Sequence, residues 1–307
     1  MGDAPPFTLV RVADGVHAAL VTLEGGALGN AAIVDLGDAT LVFDTCLTLA
    51  AARALRRAAE ELTGRSPAYV INSHYHADHV AGNQVFAPEA VVIGTERTCE
   101  LMRTDMFATA SAAAIPRLER QLSETDDESR RTFLLENLHA YRAYRAEADE
   151  RQQVLPTITF EQRLRIRGSG RTVELVCPGG GHTASDSYLH LPEDRVAIMG
   201  DLLAVGRHPA FPHGDPVEWR RILTEVLELD LERLVPGHGP VGTLADVELE
   251  HDYLGMVEAI ATIVARRDLT REEIIVPPPF DRLDQSPIFD INVNVLARRL
   301  NPALADL

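Results

Sequence analysis

Cysteine is scarce in this chain of 307 residues. There are three, Cys46, Cys99 and Cys177, far apart, odd in number and without a CxxC pair. That excludes a disulfide framework and a cysteine zinc knot. Cys177, five residues before His182, reads as a small buried apolar residue. Long apolar runs are also lacking: no stretch approaches the ~20 residues of a membrane span. The opening Met-Gly-Asp-Ala-Pro-Pro has neither a basic run nor an apolar leader segment. A soluble cytoplasmic protein with no membrane partner is therefore expected. Positive charge is in short supply, with 29 Lys and Arg against 46 Asp and Glu and a net charge of −17. Such a balance repels phosphate backbones and anionic lipid, and argues against a nucleic-acid partner. The local run Arg163, Arg165, Arg167 and Arg171 reads as a solvated strand face.

What remains is an ordinary folding composition. Hydrophobic residues make up 46% and charged residues 24%, so a sizeable core can form and no disorder signature is present. The expected organisation is one domain spanning 1–307. The first third reads as β-rich. Thr8 to Val12 and Val16 to Leu23 are joined across Asp14-Gly15, and Ala31 to Leu36 and Thr40 to Asp44 across Gly37-Asp38. Leu49 to Leu62 is an amphipathic helix ended by Gly64, and Ala68 to Asn72 is a short apolar strand.

A helical insertion is expected over about 97–153, rich in Glu, Arg, Leu and Ala, and covering the mouth of whatever site the strands build. Strands return over Thr157 to Cys177. Ser187 to Leu191 pairs with Arg195 to Met199, Val217 to Leu229 is a helix opened by Pro216, and Arg233 to Val235 is a strand. The tail from about 243 to 307 is mostly helical. A faint internal echo runs through this order: each half offers a hairpin ending in Asp (Asp44, Asp201), then a helix, a short strand and a loop carrying His (His74, His238).

The chemistry concentrates in His74-Tyr75-His76-Ala77-Asp78-His79, four potential ligands in six residues just after a strand. Imidazole nitrogen and carboxylate oxygen suit zinc, and also iron or manganese. Side chains at i and i+2 of an extended segment share a face. His74 and His76 can therefore grip one ion while Asp78 and His79 reach a second. Five of the eleven histidines fall in three glycine- or turn-rich loops: His74 to His79, Gly181-His182-Thr183 and Pro236-Gly237-His238-Gly239. Gly200-Asp201 adds a carboxylate at a fourth strand end. Two divalent cations about 3.5–4 Å apart can share one hydroxide, generated at neutral pH because metal binding lowers the water pKa towards about 7.

These motifs, in this order, resemble the metallo-β-lactamase superfamily over roughly Val16 to Gly242, interrupted by the helical segment. The resemblance implies an α/β, four-layer αββα sandwich with the metals at one edge of the sheets. It implies that His74, His76 and His182 hold a first metal, that Asp78, His79 and His238 hold a second, and that Asp201 bridges both. Two divalent ions per chain, most simply Zn2+, follow. So does a hydrolase whose metal-bound hydroxide attacks a carbonyl ester, lactone, thioester or amide of a small molecule, with Asp78 also orienting the hydroxide.

Zinc β-lactamases of this fold usually carry Cys or Ser where this chain has Asp201, which favours the thioesterase- and lactonase-like members over β-lactamase activity proper. The tail arginines, Arg266, Arg267, Arg271, Arg298 and Arg299, do not match the substrate pattern of the glyoxalase II branch. A phosphodiesterase and a mononuclear iron persulfide dioxygenase are the competing chemistries, and a homodimer stays open as an assembly. Candidate substrate contacts are Tyr75 between two ligands and His208, Phe211 and His213 in the loop from Leu203 to Asp215, each of which has a plain loop role as its alternative. Trp219 reads as core. Asp44 reads either as support for a histidine ligand or as a turn cap.

Overall fold

The computed structural model describes residues 5–304 except 24, 88, 105, 267–272 and 284–286, and gives the backbone alone over 106–113. Arg267 and Arg271 lie outside the described residues.

Strands β1 (Phe7–Ala13), β2 (Val16–Val21), β3 (Ala31–Asp35) and β4 (Thr40–Phe43) form an antiparallel meander. Helix α1 (Leu49–Thr63) then crosses over so that β5 (Tyr69–Ile71) pairs parallel to β4. Thr48 caps the start of α1 through its side chain, and Gly64 ends it. After two short helices, α2 (Ala77–Val80) and α3 (Asn83–Phe86), β6 (Val91–Thr95) and β7 (Ile158–Phe160) continue in parallel and complete a seven-stranded sheet. The second sheet holds β8 (Arg163–Arg167), β9 (Thr172–Val176), β10 (Tyr188–Leu191), β11 (Val196–Ala204) and β12 (Arg233–His238).

Strand alternation explains the layering. In β3, Ala32 and Val34 face the second sheet while Ile33 faces α1; in β4, Leu41 and Phe43 face inward and Val42 outward. Both faces are covered, so these strands are continuously apolar rather than alternating with polar residues. The second sheet meets the first through Leu175, Leu189, Ile198 and Val235. Its outer face packs Ala197 and Met199 against α7 (Pro216–Leu227), α8 (Leu244–Ala265) and α9 (Ile288–Leu300). The result is the expected mixed α/β, four-layer αββα arrangement.

The internal echo has a structural counterpart. An antiparallel hairpin, a helix and a parallel strand occur once as β3-β4-α1-β5 and again as β10-β11-α7-β12. Two strands outrun expectation. β11 continues through Asp201 to Ala204, and β12 continues to His238, so Asp201 lies inside a strand rather than at its end, and His238 closes a strand rather than standing in the loop after it. Leu202 and Leu203 are buried and extend the apolar run. The pairing of β11 with β12 loses register between Gly200 and Ala204, where Gly200 takes a φ of 52°.

The segment expected to be helical holds α4 (Glu96–Met102), α5 (Met106–Glu124) and α6 (Glu128–Ala146). Ala140, Tyr141 and Tyr144 of α6 pack on Leu47 and Ala77 beside the histidine cluster. Beyond the helix, the Glu147 carboxylate accepts from the Leu49 and Ala50 amides at the start of α1. Arg163, Arg165 and Arg167 on β8 are exposed, and Arg163 and Arg165 pair with Glu174 of β9, the solvated face expected of them; Arg171 departs from that expectation, its side chain being only 12% exposed and donating to the Asp14 carbonyl. Among the described residues, no helix is long and apolar enough to cross a membrane.

Candidate metal centre

The seven candidate ligands converge at one edge of the two sheets. They come from the β5 exit with short helix α2 (Ala77–Val80), the 178–187 loop, β11 and β12. They fall into two groups whose donor atoms lie within 4.8 Å of one another: His74, His76, His182 and Asp201 in one; Asp78, His79 and His238 in the other. Asp201 adjoins both groups. Its Oδ2 lies 3.2 Å from His182 Nε2 and 3.4 Å from His238 Nε2, and its Oδ1 lies 3.1 Å from His79 Nε2. Asp78 Oδ2 lies 3.5 Å from both His79 Nε2 and His238 Nε2.

The surrounding hydrogen bonds decide which ring nitrogen faces the centre. Asp44 Oδ2 accepts from His79 Nδ1 at 2.8 Å and from the Ser73 hydroxyl at 2.7 Å. That hydroxyl oxygen in turn accepts from His74 Nδ1 at 2.9 Å. The Ser73 amide donates to Asp44 Oδ1. One carboxylate therefore orients two imidazoles, so Asp44 braces two candidate ligands. His182 Nδ1 donates to the Ala210 carbonyl at 2.5 Å. In each case Nε2 is left to face the centre.

Burial and charge set the protonation states. His74 is driven well below the ordinary histidine range by burial, reinforced by His79 and His76. Burial and the nearby His182 bring His76 down to about 3. Burial alone would lower His79 and His238 as well, but the carboxylates reverse this: Asp201, Asp78 and Asp44 at His79, and Asp201 with Asp78 at His238. Burial would raise Asp78, yet His79 and His238 bring it to about 2.

His74 Nε2, His79 Nε2 and Asp201 Oδ1 are buried without a hydrogen-bond partner. Native interiors rarely tolerate orphaned polar atoms, and these sit within the two donor groups, His79 Nε2 and Asp201 Oδ1 being 3.1 Å apart but without hydrogen-bond geometry. Their chemistry fits a borderline divalent ion such as Zn2+, Fe2+ or Mn2+.

Three supports escaped sequence reasoning. Asp186 accepts from the Gly181 and Thr183 amides and the Thr183 hydroxyl, which shapes the loop carrying His182. Asn30 donates to the Pro236 and Gly239 carbonyls and so ties the β2–β3 connection to the loop at His238. Gly237 packs so tightly that a Cβ there would lie 1.9 Å from Asp201 Oδ1. The readable signals were an acid four residues after His182 and a glycine immediately before His238.

The four expected substrate contacts divide. Tyr75 and His213 lie at the open rim, with the Tyr75 hydroxyl 3.3 Å from His213 Nδ1 and the His213 ring 5.8 Å from that of His76. Phe211 does not line an open wall. It is fully buried, edge-on to Trp219, because the apolar loop segment folds back into the helical layer. His208 is also buried, 3.1 Å from the Tyr253 hydroxyl and away from the rim. Trp219 is core as expected, yet its ring lies 5.6 Å from His182 and braces it.

A metallo-beta-lactamase from Pontibacter korlensis superposes with a TM-score of 0.58 at 17% identity, covering 81% of this chain and 99% of that one. A stereoselective inverting sec-alkylsulfatase from Pseudomonas sp. gives 0.70 at 17% identity, covering 95% of this chain and 50% of that one. In sequence, the chain is 25% identical over 242 residues to the alpha subunit of 2,4-dinitroanisole O-demethylase from Nocardioides sp. strain JS1661. That alignment takes in 78% of this chain and 60% of the relative, so the chain spans less than two thirds of it. The family description of the metallo-beta-lactamase superfamily matches residues 25–238, well over half of the length. With that match joined to two facing sheets and a histidine-rich edge, the chain belongs to the metallo-beta-lactamase superfamily.

Proposed function

We propose that this chain is a hydrolase of small molecules that works with two divalent cations, Zn2+ being the simplest choice. His74, His76 and His182 would hold one, Asp78, His79 and His238 the other, and Asp201 would be shared. The observation that carries this is the gathering of seven side chains into two donor groups, in which His74 Nε2, His79 Nε2 and Asp201 Oδ1 are buried and left without a hydrogen-bond partner. When bound, such ions supply Lewis acidity and a water ionised at neutral pH.

The chain's own groups do the rest. Asp78 accepts a hydrogen bond from the attacking water and aligns it. Tyr75 and His213 meet the substrate at the rim, where both are reachable. Asp44, through His79 directly and His74 by way of Ser73, holds the Nε2 atoms toward where the cations would sit. The bond cleaved is a carbonyl ester, lactone, thioester or amide. A second reading, cleavage of an O-alkyl bond, is favoured by the match to the O-demethylase subunit across 78% of this chain.

The test is metal analysis of purified protein followed by a panel assay with a chromogenic β-lactam, acyl lactones, a glutathione thioester, bis-p-nitrophenyl phosphate, an alkyl sulfate and a nitroaryl methyl ether. Two zinc ions per chain with turnover of a carbonyl substrate support the main reading. Turnover of the ether alone selects the second. One tightly held iron with no hydrolysis overturns both.

A further inference from the structure

The loop between β11 and α7 touches the candidate centre at the Ala210 carbonyl, which accepts from His182 Nδ1 at 2.5 Å. The two residues flanking Ala210 are held by one side chain from elsewhere in the chain. Asn292 of α9 donates from Nδ2 to the Pro209 carbonyl at 2.7 Å, and its Oδ1 accepts from the Phe211 amide at 3.2 Å. Asn292 is 0% exposed, which is costly for a primary amide unless its polar atoms are satisfied. It spends both ends on this bracket, with a further 3.4 Å contact from Nδ2 to the Tyr253 hydroxyl. Arg299, two turns further along α9, donates to the Gly214 and Pro212 carbonyls at 2.6 and 2.8 Å. Phe211 is pinned against Trp219, whose ring lies against His182.

We infer that Asn292 is a positioning residue for His182, acting through the 209–211 backbone, and that α9 thereby sets the affinity of the cation group containing His74, His76 and Asp201. The inference rests on the proposed two-cation reading. A neutral imidazole has two tautomers, and only the one protonated at Nδ1 offers its Nε2 lone pair. In this chain Nε2 lies 3.2 Å from Asp201 Oδ2 and 3.0 Å from His76 Nδ1, so it faces the remaining members of its group. Losing a partner one step out from a histidine ligand costs roughly 10–100-fold in metal affinity. The bracket is what keeps that partner, a loop carbonyl with no side chain of its own to anchor it, from drifting.

The experiment compares zinc binding by competition with a chromophoric chelator in the full chain, its Asn292→Ala, Arg299→Met and Val293→Ala variants, and His182→Ala. Val293 is a fully buried apolar residue on the same helix, so its truncation loosens α9 without touching the bracket. One zinc in Asn292→Ala should weaken by about 10–100-fold while the second is retained. Arg299→Met should weaken the same zinc by several-fold, and Val293→Ala should leave both unchanged. Should Asn292→Ala fail to fold, the exposed Arg299 carries the test alone. Equal affinities in the bracket variants and the parent, or equal losses in Val293→Ala, overturn the inference while leaving the two-cation reading standing. A parent chain that binds no zinc, or a His182→Ala variant that binds two, overturns that reading itself.

Discussion

Asp44 and His79 form a fully buried pair in which the carboxylate accepts from Nδ1 at 2.8 Å. Asp44 also takes the Ser73 amide and hydroxyl, so Asp44→Ala removes three acceptor contacts and leaves a buried amide unsatisfied. Each such loss costs about 1–3 kcal/mol. The expected outcome is a fall in stability on the order of 3 kcal/mol and a 10–100-fold loss of metal affinity. Denaturant unfolding and zinc titration check it; full metal content in Asp44→Ala would refute the orienting role.

Gly237 tests the close approach at Asp201. A methyl group placed 1.9 Å from Asp201 Oδ1 and 2.8 Å from the Gly200 carbonyl carbon must push the carboxylate aside. Gly237→Ala should yield a chain that either unfolds at lower temperature or purifies with reduced metal. A variant matching the parent in both respects would show that the strand crossing has slack the packing does not display.

Glu250 of α8 gives a pH dependence with a definite sign. Its side chain is 97% enclosed in effect (3% exposed), with Oε2 accepting from the Ala204 amide at 2.7 Å and Oε1 unpartnered. Burial raises its pKa well above the ordinary glutamate range, with Asp201 and Asp246 adding to the effect. Below about pH 4 both folded and unfolded chains carry the proton and the group is neutral to stability. As pH rises the unfolded chain ionises first, so stability declines until the folded group also loses its proton. Glu250→Gln removes this penalty. Its melting temperature should exceed the parent's by a margin that grows from pH 5 to pH 8 and vanishes near pH 4; a margin independent of pH in differential scanning calorimetry would contradict the assignment.

At the rim, the Tyr75 hydroxyl lies 3.3 Å from His213 Nδ1, and neither residue belongs to the two donor groups. His213→Ala and Tyr75→Phe should raise KM several-fold while metal content stays at the parent value. A loss of metal in either variant would move the residue from substrate contact to the metal group.

Much of this was legible beforehand because the relevant signals are local. Alternation and turn pairs located β1 to β4, and the density of histidines around Asp78 pointed to the edge where the sheets meet. Helix α7 began at Pro216 as its position suggested, with Asp215 as the cap. The supports were less legible because they depend on distant chain. Asn30 meets Pro236, and Asn292 meets Pro209, only after both sheets have closed. Phe211 and His208 misled for a related reason: a loop beside a ligand reads as pocket wall, but the helical layer formed by α8 and α9 drew both side chains inward.

The doubled β-β-α-β order has a consequence for how the molecule holds together. Neither repeat carries a full donor group. His74 and His76 must borrow His182 and Asp201 from across the sandwich, and Asp78 with His79 must borrow His238. A cation at either place would thus be a rivet through the two sheets, and the free energy of its capture would count toward folding as well as reactivity. Stripping such rivets with a chelator would loosen the seam between halves before it disturbed either half internally.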